Sequence, residues 1–481
     1  MLRGYSAVTA VYGSVLTGGK CGLCSALISS YLAINKTKMN KKLEINQTTL
    51  SVLNYDCLQH LLSFLPLIDK LIFAHCLVND RVLEVVSKKD TFCMKDCLER
   101  LSVDETKLIL RRFGCQIKHV CLHEIVPSEK KDYYELIATH CHSLEAIELH
   151  YPNSECELEI FRKILSANNS LESIWIERTL SEFRDELLAI IGNMQSIKNL
   201  YLSDLNDITG AQISQLTNLV ELDISCCKLF DVDNFIKLMN GNNLKFLNIA
   251  YCGLLNDDAI QTLADTQQEL EHLIISTTIC AHNFKPIGQL KKLKEFVLYD
   301  FKGYKLMDAI EEIKNHPSIE VLKIINDFPY CGATGILLDY ILSLKNLKVL
   351  FFPDDEDLND KNLRALALNI PALKKLRIRI DDGGNVTYDG LIEVIRNLEH
   401  LQEFQIWTST ITFDSELLQQ IIDTKIEANP QPLKIYWAAY TMEEDILNSQ
   451  LYLDNLDILK VIPVNRWDDV EKLIHWEDAF R

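Results

Sequence analysis

A chain of 481 residues with 48% hydrophobic content is long enough for several domains or for one extended repeat body, and it has ample apolar material for a core. Its 68 acidic residues outnumber 49 basic ones, and the formal charge of −19 argues against nucleic acid as a partner, because phosphate contacts need clustered Lys and Arg. Neutral or basic partners fit that balance better. The fifteen cysteines are scattered along the chain without the dense framework of a small secreted domain, so reduced thiols and a cytoplasmic or nuclear location are expected.

Residues 1–45 stand apart, with no acidic residue before Glu44 and several Gly-rich and apolar stretches. Cys21 to Ile34 is apolar but too short to cross a bilayer, and no membrane partner is expected. Arg3 and Lys20 leave a targeting segment open beside a disordered leader or a start at Met39. Ser14 to Cys21 fails as a phosphate loop at both ends, with Ser14 for the first Gly and Cys21 for the Ser/Thr after Lys20. Cys21-x-x-Cys24 lacks a second pair, and no cofactor is implied anywhere.

Residues 46–90 read as a separate helical unit. Leu53, Leu58, Leu61, Leu62 and Leu65 recur at spacings of three to five; Pro66 ends that helix and Asp69 can start the next. The stretch resembles an F-box, whose pattern runs Leu-Pro-x-Glu-x-Leu-x-x-Ile-Phe-x-Tyr-Leu, then Asp, Leu and a Val-Cys-x-x-Trp ending. Leu53, Leu58, Leu62, Phe64, Leu65, Asp69, Leu71 and Ala74 fit or nearly fit it, while Asn54 stands for the early Pro and no Trp occurs around Asp80. The resemblance implies docking onto the Skp adaptor, and through it a cullin scaffold, by Leu53, Leu58, Leu61, Leu62, Phe64, Leu65 and Leu71. An N-terminal helical cap over the first repeat is the other reading.

Phe92 to Arg112 is expected to be helical. From there an apolar-x-x-apolar-x-apolar unit opens at Ile117, Leu144, Leu171, Ile197, Leu219, Leu244, Leu270, Leu293, Ile319, Leu347, Leu373, Leu401 and Leu433. Openings lie 22 residues apart at the shortest (Ile197 to Leu219) and 32 at the longest (Leu401 to Leu433). Leu244 to Leu263 shows the unit fully: a strand, Cys252 at the turn, then Asn256 and Asp257 ahead of a helical period. It resembles the cysteine-containing leucine-rich repeat, with Leu255, Asp257, Ala259 and Ile260 in the last marked places. The resemblance implies an α/β, right-handed leucine-rich-repeat solenoid over 91–440, a horseshoe with parallel strands on the concave face and helices on the convex face. The Ile197 repeat is short enough to replace its helix with a tight turn. Residues 441–481, acidic and carrying Trp467 and Trp476, read as a cap or tail.

No metalloprotease, nucleophile-elbow or phosphate-loop motif occurs, and an enzyme is not expected. His119, Cys121 and His123 alternate on one strand face, with neighbours about 6.6 Å apart along the strand. Such a line does not converge on one zinc, and His140, Cys141 and His142 lie in a different context, so no metal is expected. Cys252 and Cys227 suit the crowded turn after each strand. Strand alternation places Trp175, Tyr201, Phe246, Tyr299, Phe351, Trp407 and Trp437 on the concave face. These aromatics either stiffen the array by stacking or form a recognition surface. On that face Glu148, Glu177, Glu221, Asp223 and Glu295 gather early, and Lys375, Arg377 and Arg379 late. The late group is either a solvated strand face or a seat for an acidic or phosphorylated segment. The two resemblances together imply a substrate receptor of a Skp–cullin–F-box ubiquitin ligase, acting on an unidentified protein; the rival is a scaffold or inhibitor without a ligase.

Overall fold

A computed structural model of the protein describes residues 91–93, 102–122, 130–150, 154–177, 183–203, 205, 207–276, 281–299, 303–325, 334–352, 358–380, 385–428 and 431–464. The expected leader, the F-box-like unit with its adaptor-binding leucines, His123, Trp467 and Trp476 lie outside the described residues. The chain divides into two compact units, one of Met1–Glu177 with Ser181–Ile190, the other of Arg178–Leu180 with Ile191–Arg481.

In the first unit β1 (Thr91–Cys93), β2 (His119–Cys121), β3 (Ala146–His150) and β4 (Ser173–Glu177) pair in parallel, each with the next. In the second unit the same rule joins β5 (Asn199–Leu202), β6 (Glu221–Asp223), β7 (Phe246–Asn248), β8 (His272–Ser276) and β9 (Glu295–Tyr299). It continues through β10 (Val321–Ile325), β11 (Val349–Phe351), β12 (Lys375–Ile380), β13 (Glu403–Thr408), β14 (Leu433–Ala438) and β15 (Leu459–Val464). Helices such as Glu155–Ala167, Asp257–Thr266 and Tyr388–Asn397 connect them. This is an α/β leucine-rich-repeat solenoid.

All thirteen expected openings lead into strands, β2 to β14. Two elements depart from expectation. Phe92 lies in β1, and the helix starts at Val103, where the Ser102 side chain accepts from the Glu105 N–H and Glu105 accepts from the Ser102 N–H. At the other end the sheet runs past residue 440 into β15, whose Leu459, Val461 and Val464 are buried; Pro463 lies in register with Trp437. The short Ile197 repeat does dispense with a helix. Its turn holds Gly210 at φ 82°, where a Cβ would sit 2.3 Å from the Phe230 ring, so no other residue fits.

Short helices of ten or so residues are not stable alone, and neither is a lone strand; each repeat is held by burial against its neighbours. Leu222, Leu247, Leu273, Phe296, Leu322, Leu350, Leu376 and Phe404 form a fully buried row across the second unit. Leu263, Ile310 and Leu337 of the helices are also buried completely.

Crowding at the ends of the repeats leaves backbone groups that water cannot reach, and buried side chains bond them. Gln267, itself fully buried, donates to the carbonyls of Met239 (2.6 Å) and Asn242 (3.2 Å) and accepts from the Leu244 N–H (2.7 Å). Asn242 does the same one repeat earlier for Leu216, Leu238 and Leu219. In the first unit Asn168 serves Cys141, Ile164 and Leu144. At the strand ends thiols take over: Cys227 donates to the Leu202 carbonyl (3.3 Å) and Cys252 to that of Ile224 (3.0 Å). Cys226 and Tyr251, at φ 60° and 61°, turn the chain so that these thiols face inward.

Replacing Gln267 by Leu keeps the volume but strands three backbone groups, and is expected to cost about 2–4 kcal/mol in denaturant unfolding. Gln261→Leu, on the exposed side of the same helix, should cost under about 0.5 kcal/mol. Equal costs would show that the Gln267 bonds to the backbone do not hold the repeats together. Burial also pushes the Cys141 thiol up to about 12 and those of Cys227 and Cys252 higher, which suppresses the reactive thiolate. Native-state alkylation read by mass spectrometry should therefore label exposed Cys115 and Cys156 before Cys141, Cys227 and Cys252; rapid labelling of Cys227 or Cys252 would contradict it.

Candidate functional site

Because side chains alternate along a strand, the residues between the buried ones point to the face opposite the helices. In the second unit this open face carries one continuous central row. In register it reads Tyr201, Asp223, Asn248, Ile274, Val297, Lys323, Phe351, Arg377, Gln405 and Tyr436. Beside it runs a second row from Glu221 through Phe246, His272 and Glu295 to Lys375 and Glu403.

Toward its early strands the face is aromatic and apolar. Ring centroids of Tyr201 and Phe246 lie 6.3 Å apart, and those of Tyr251 and Tyr299 6.1 Å. Phe246, Tyr251 and Tyr299 pack on a floor of Ala250, Ile274, Val297 and Ile325. Two carboxylates stand here among neutral donors. The Tyr201 hydroxyl donates to Glu221, while Asp223 accepts from the Ser225 N–H (2.8 Å) and the Asn248 amide (2.9 Å). Burial raises the Asp223 carboxyl above its usual range, and the bonds from Ser225 and Asn248 oppose that rise.

The middle of the face is a charge network. Glu295 meets His272 Nδ1 at 2.9 Å and Lys323 Nζ at 2.7 Å. Burial works to raise its pKa, but the His272 bond and the Lys323 charge outweigh burial and hold it at about 2. Lys323 and Arg377 flank the Phe351 ring at 5.6 and 5.2 Å, one from each neighbouring strand. Farther along, Glu403 faces Lys375 at 3.3 Å and Lys434 at 4.0 Å, and Trp407 meets Tyr440 edge-on at 5.7 Å.

Tyr201, Phe246, Tyr299 and Trp407 stand half-buried on the open face, as alternation predicts, and Trp175 does so on β4 of the first unit, in register with Glu148. Phe351 and Arg377 lie on the expected face but are 2% and 5% exposed, a stacked floor rather than a protruding patch. Trp437 is misplaced by the alternation argument. It is in register with Ile406, fully buried against Phe413, and donates to the Thr441 hydroxyl at 2.9 Å. The strand LKIYWA has one residue fewer before its second apolar position, which hands the open face to Tyr436. Early acids and late bases are not segregated either: Lys323 neutralises Glu295, and Glu403 sits beside Lys375. Arg379 is half-buried in register with Trp407. In the first unit His119 bonds Glu148 at 2.9 Å, Cys141 is buried, and exposed His142 bonds the Thr139 carbonyl. His272, Lys323 and Tyr251 were missed as site residues; the first two stood at alternate positions where the same reading could have found them.

The described residues thus define a leucine-rich-repeat protein with an elaborated open sheet face. No family model matches the sequence, and no curated protein matches it. Among solved structures the chain is similar to one from the crystal structure of the Rad7 and Elc1 complex in yeast, at 15% identity and a TM-score of 0.43, over 84% of this chain and 97% of that one. It is also similar to the leucine-rich repeat-containing protein LegL7 from Legionella pneumophila, at 15% identity and a TM-score of 0.37, over 58% and 96%.

A carboxyl held below its ordinary value of 4.5 adds stability above that value and loses it as the pH falls toward its folded pKa, here about 2. The stability gap between wild type and Glu295→Gln, on the order of 2 kcal/mol, is expected to be widest above about pH 5 and to shrink toward pH 2. Denaturant midpoints of the two proteins across that range check it; a pH-independent gap would refute the charge network.

Proposed function

We propose that the chain is a non-catalytic recognition subunit of a Skp–cullin–F-box ubiquitin ligase, working in the cytosol or nucleus. Residues 46–90 hold the Skp adaptor, and the open sheet face holds a target protein. Bond formation belongs to other subunits, so this chain acts by positioning and by raising local concentration. The observation that carries the face's role is the set of half-buried aromatics Tyr201, Phe246, Tyr299 and Trp407 at positions the leucine core does not need. Extended repeat surfaces serve this purpose in general. The adaptor role rests on the sequence pattern from Leu53 to Ala74 standing immediately ahead of the repeats.

Co-purification with the Skp adaptor tests the reading. Wild type is expected to retain the adaptor, and Leu58→Asp with Leu62→Asp to lose it while thermal unfolding of the repeats is unchanged. If wild type retains no adaptor, the protein is a ligase-independent scaffold whose N-terminal helices are a cap.

A further inference from the structure

The two ends of the open face differ in how their charges are balanced. Lys323 and Lys375 each already face a carboxylate, and Arg377 is buried against Phe351. Glu221 and Asp223 are different: neutral donors alone contact them, and among the described residues no Lys, Arg or His lies within ion-pair distance of either. They sit on one strand, two residues apart, between the Tyr201 and Phe246 rings from the strands on either side. An acidic segment arriving on this face would have to break existing pairs at one end and meet bare carboxylates at the other. A basic one would complete an unbalanced site.

We propose that Tyr201, Glu221, Asp223 and Phe246 bind an extended basic segment of the partner protein, a Lys or Arg charge resting on the carboxylates and its stem on the two rings. The ring faces attract the same cation, and Tyr251 with Tyr299 offers an apolar seat to a neighbouring side chain. A bare metal ion fits less well. Ser225, Asn248 and Tyr201 already occupy carboxylate oxygens, whereas a charge on a long stem needs one free lone pair from each acid. The net charge of −19 steers such a segment inward from a distance. This inference rests on the reading of the open face as the target-binding surface and is independent of the adaptor.

The test uses the full chain and two fluorescein-labelled ten-residue peptides, identical in their alternating Leu residues and carrying Lys or Glu between them. Fluorescence anisotropy is expected to show binding of the Lys peptide and none of the Glu peptide. Glu221→Gln with Asp223→Asn, which removes both charges while the Gln can still accept from Tyr201 and the Asn from one of the two donors to Asp223, should weaken Lys-peptide binding at least tenfold, and Phe246→Leu severalfold. Glu416→Gln with Asp423→Asn, on a connecting helix, should leave it unchanged. A benzophenone on the Lys peptide should crosslink to β5–β7 of wild type, a readout that needs no variant to fold. Binding of neither peptide, equal binding by the carboxylate variant, or crosslinks confined to the helices would overturn the proposal. Adaptor retention measured on the same preparation separates the outcomes: adaptor without peptide ends this inference alone, and peptide without adaptor ends the ligase reading alone.

Discussion

The constraint everything else obeys is that one strand with its connecting segment cannot bury its own apolar side, nor bond its own backbone once buried. The leucine rows meet the first half of that demand. The second half falls to a few polar side chains set at the seams, where Gln267 and Asn242 reach back to the repeat before them and Cys252 touches the carbonyl of Ile224. A hydrophobic residue of equal size would fill the same space and leave the backbone orphaned. The seams therefore fix the register in which repeats stack, and the register fixes which residues line up across the open face.

That dependence explains the composition of the face. Its central row is contiguous because each strand enters in step with the last, so that Lys323, Phe351 and Arg377, far apart in sequence, form one stack. A slip of one residue in a strand would turn its core row out to the open face and its open-face row inward. Rigid backbone spacing sets these groups close enough to interact while the helices carry the packing on the other side.

The strands were largely legible in the sequence, since the apolar spacing from Ile117 to Leu433 marks β2 to β14, though neither β1 nor β15. Legibility failed where the local pattern slipped or where partners came from other repeats. LKIYWA has a shortened interval, and counting along it put Trp437 outside when the neighbouring register places it inside. Phe351 sits where alternation puts it, yet its burial depends on two cations supplied by adjacent strands. Charge segregation along the sequence dissolved for the same reason: Glu295 looked like part of an acidic half until the fold set Lys323 beside it. Glu221 and Asp223, by contrast, remain among neutral donors within the described residues, as the early gathering of acids on that face suggested.

Pro463 gives the last described strand its own significance. Along this ladder the inward-row residues turn their amides toward the following strand, as the N–H of Ile224 does to the Asn248 carbonyl and that of Ile249 to Ile274. Pro463 shares that row with Trp437 and has no hydrogen to offer there. Any β-segment laid along that flank would find a gap in the template at Pro463, which discourages strand pairing there.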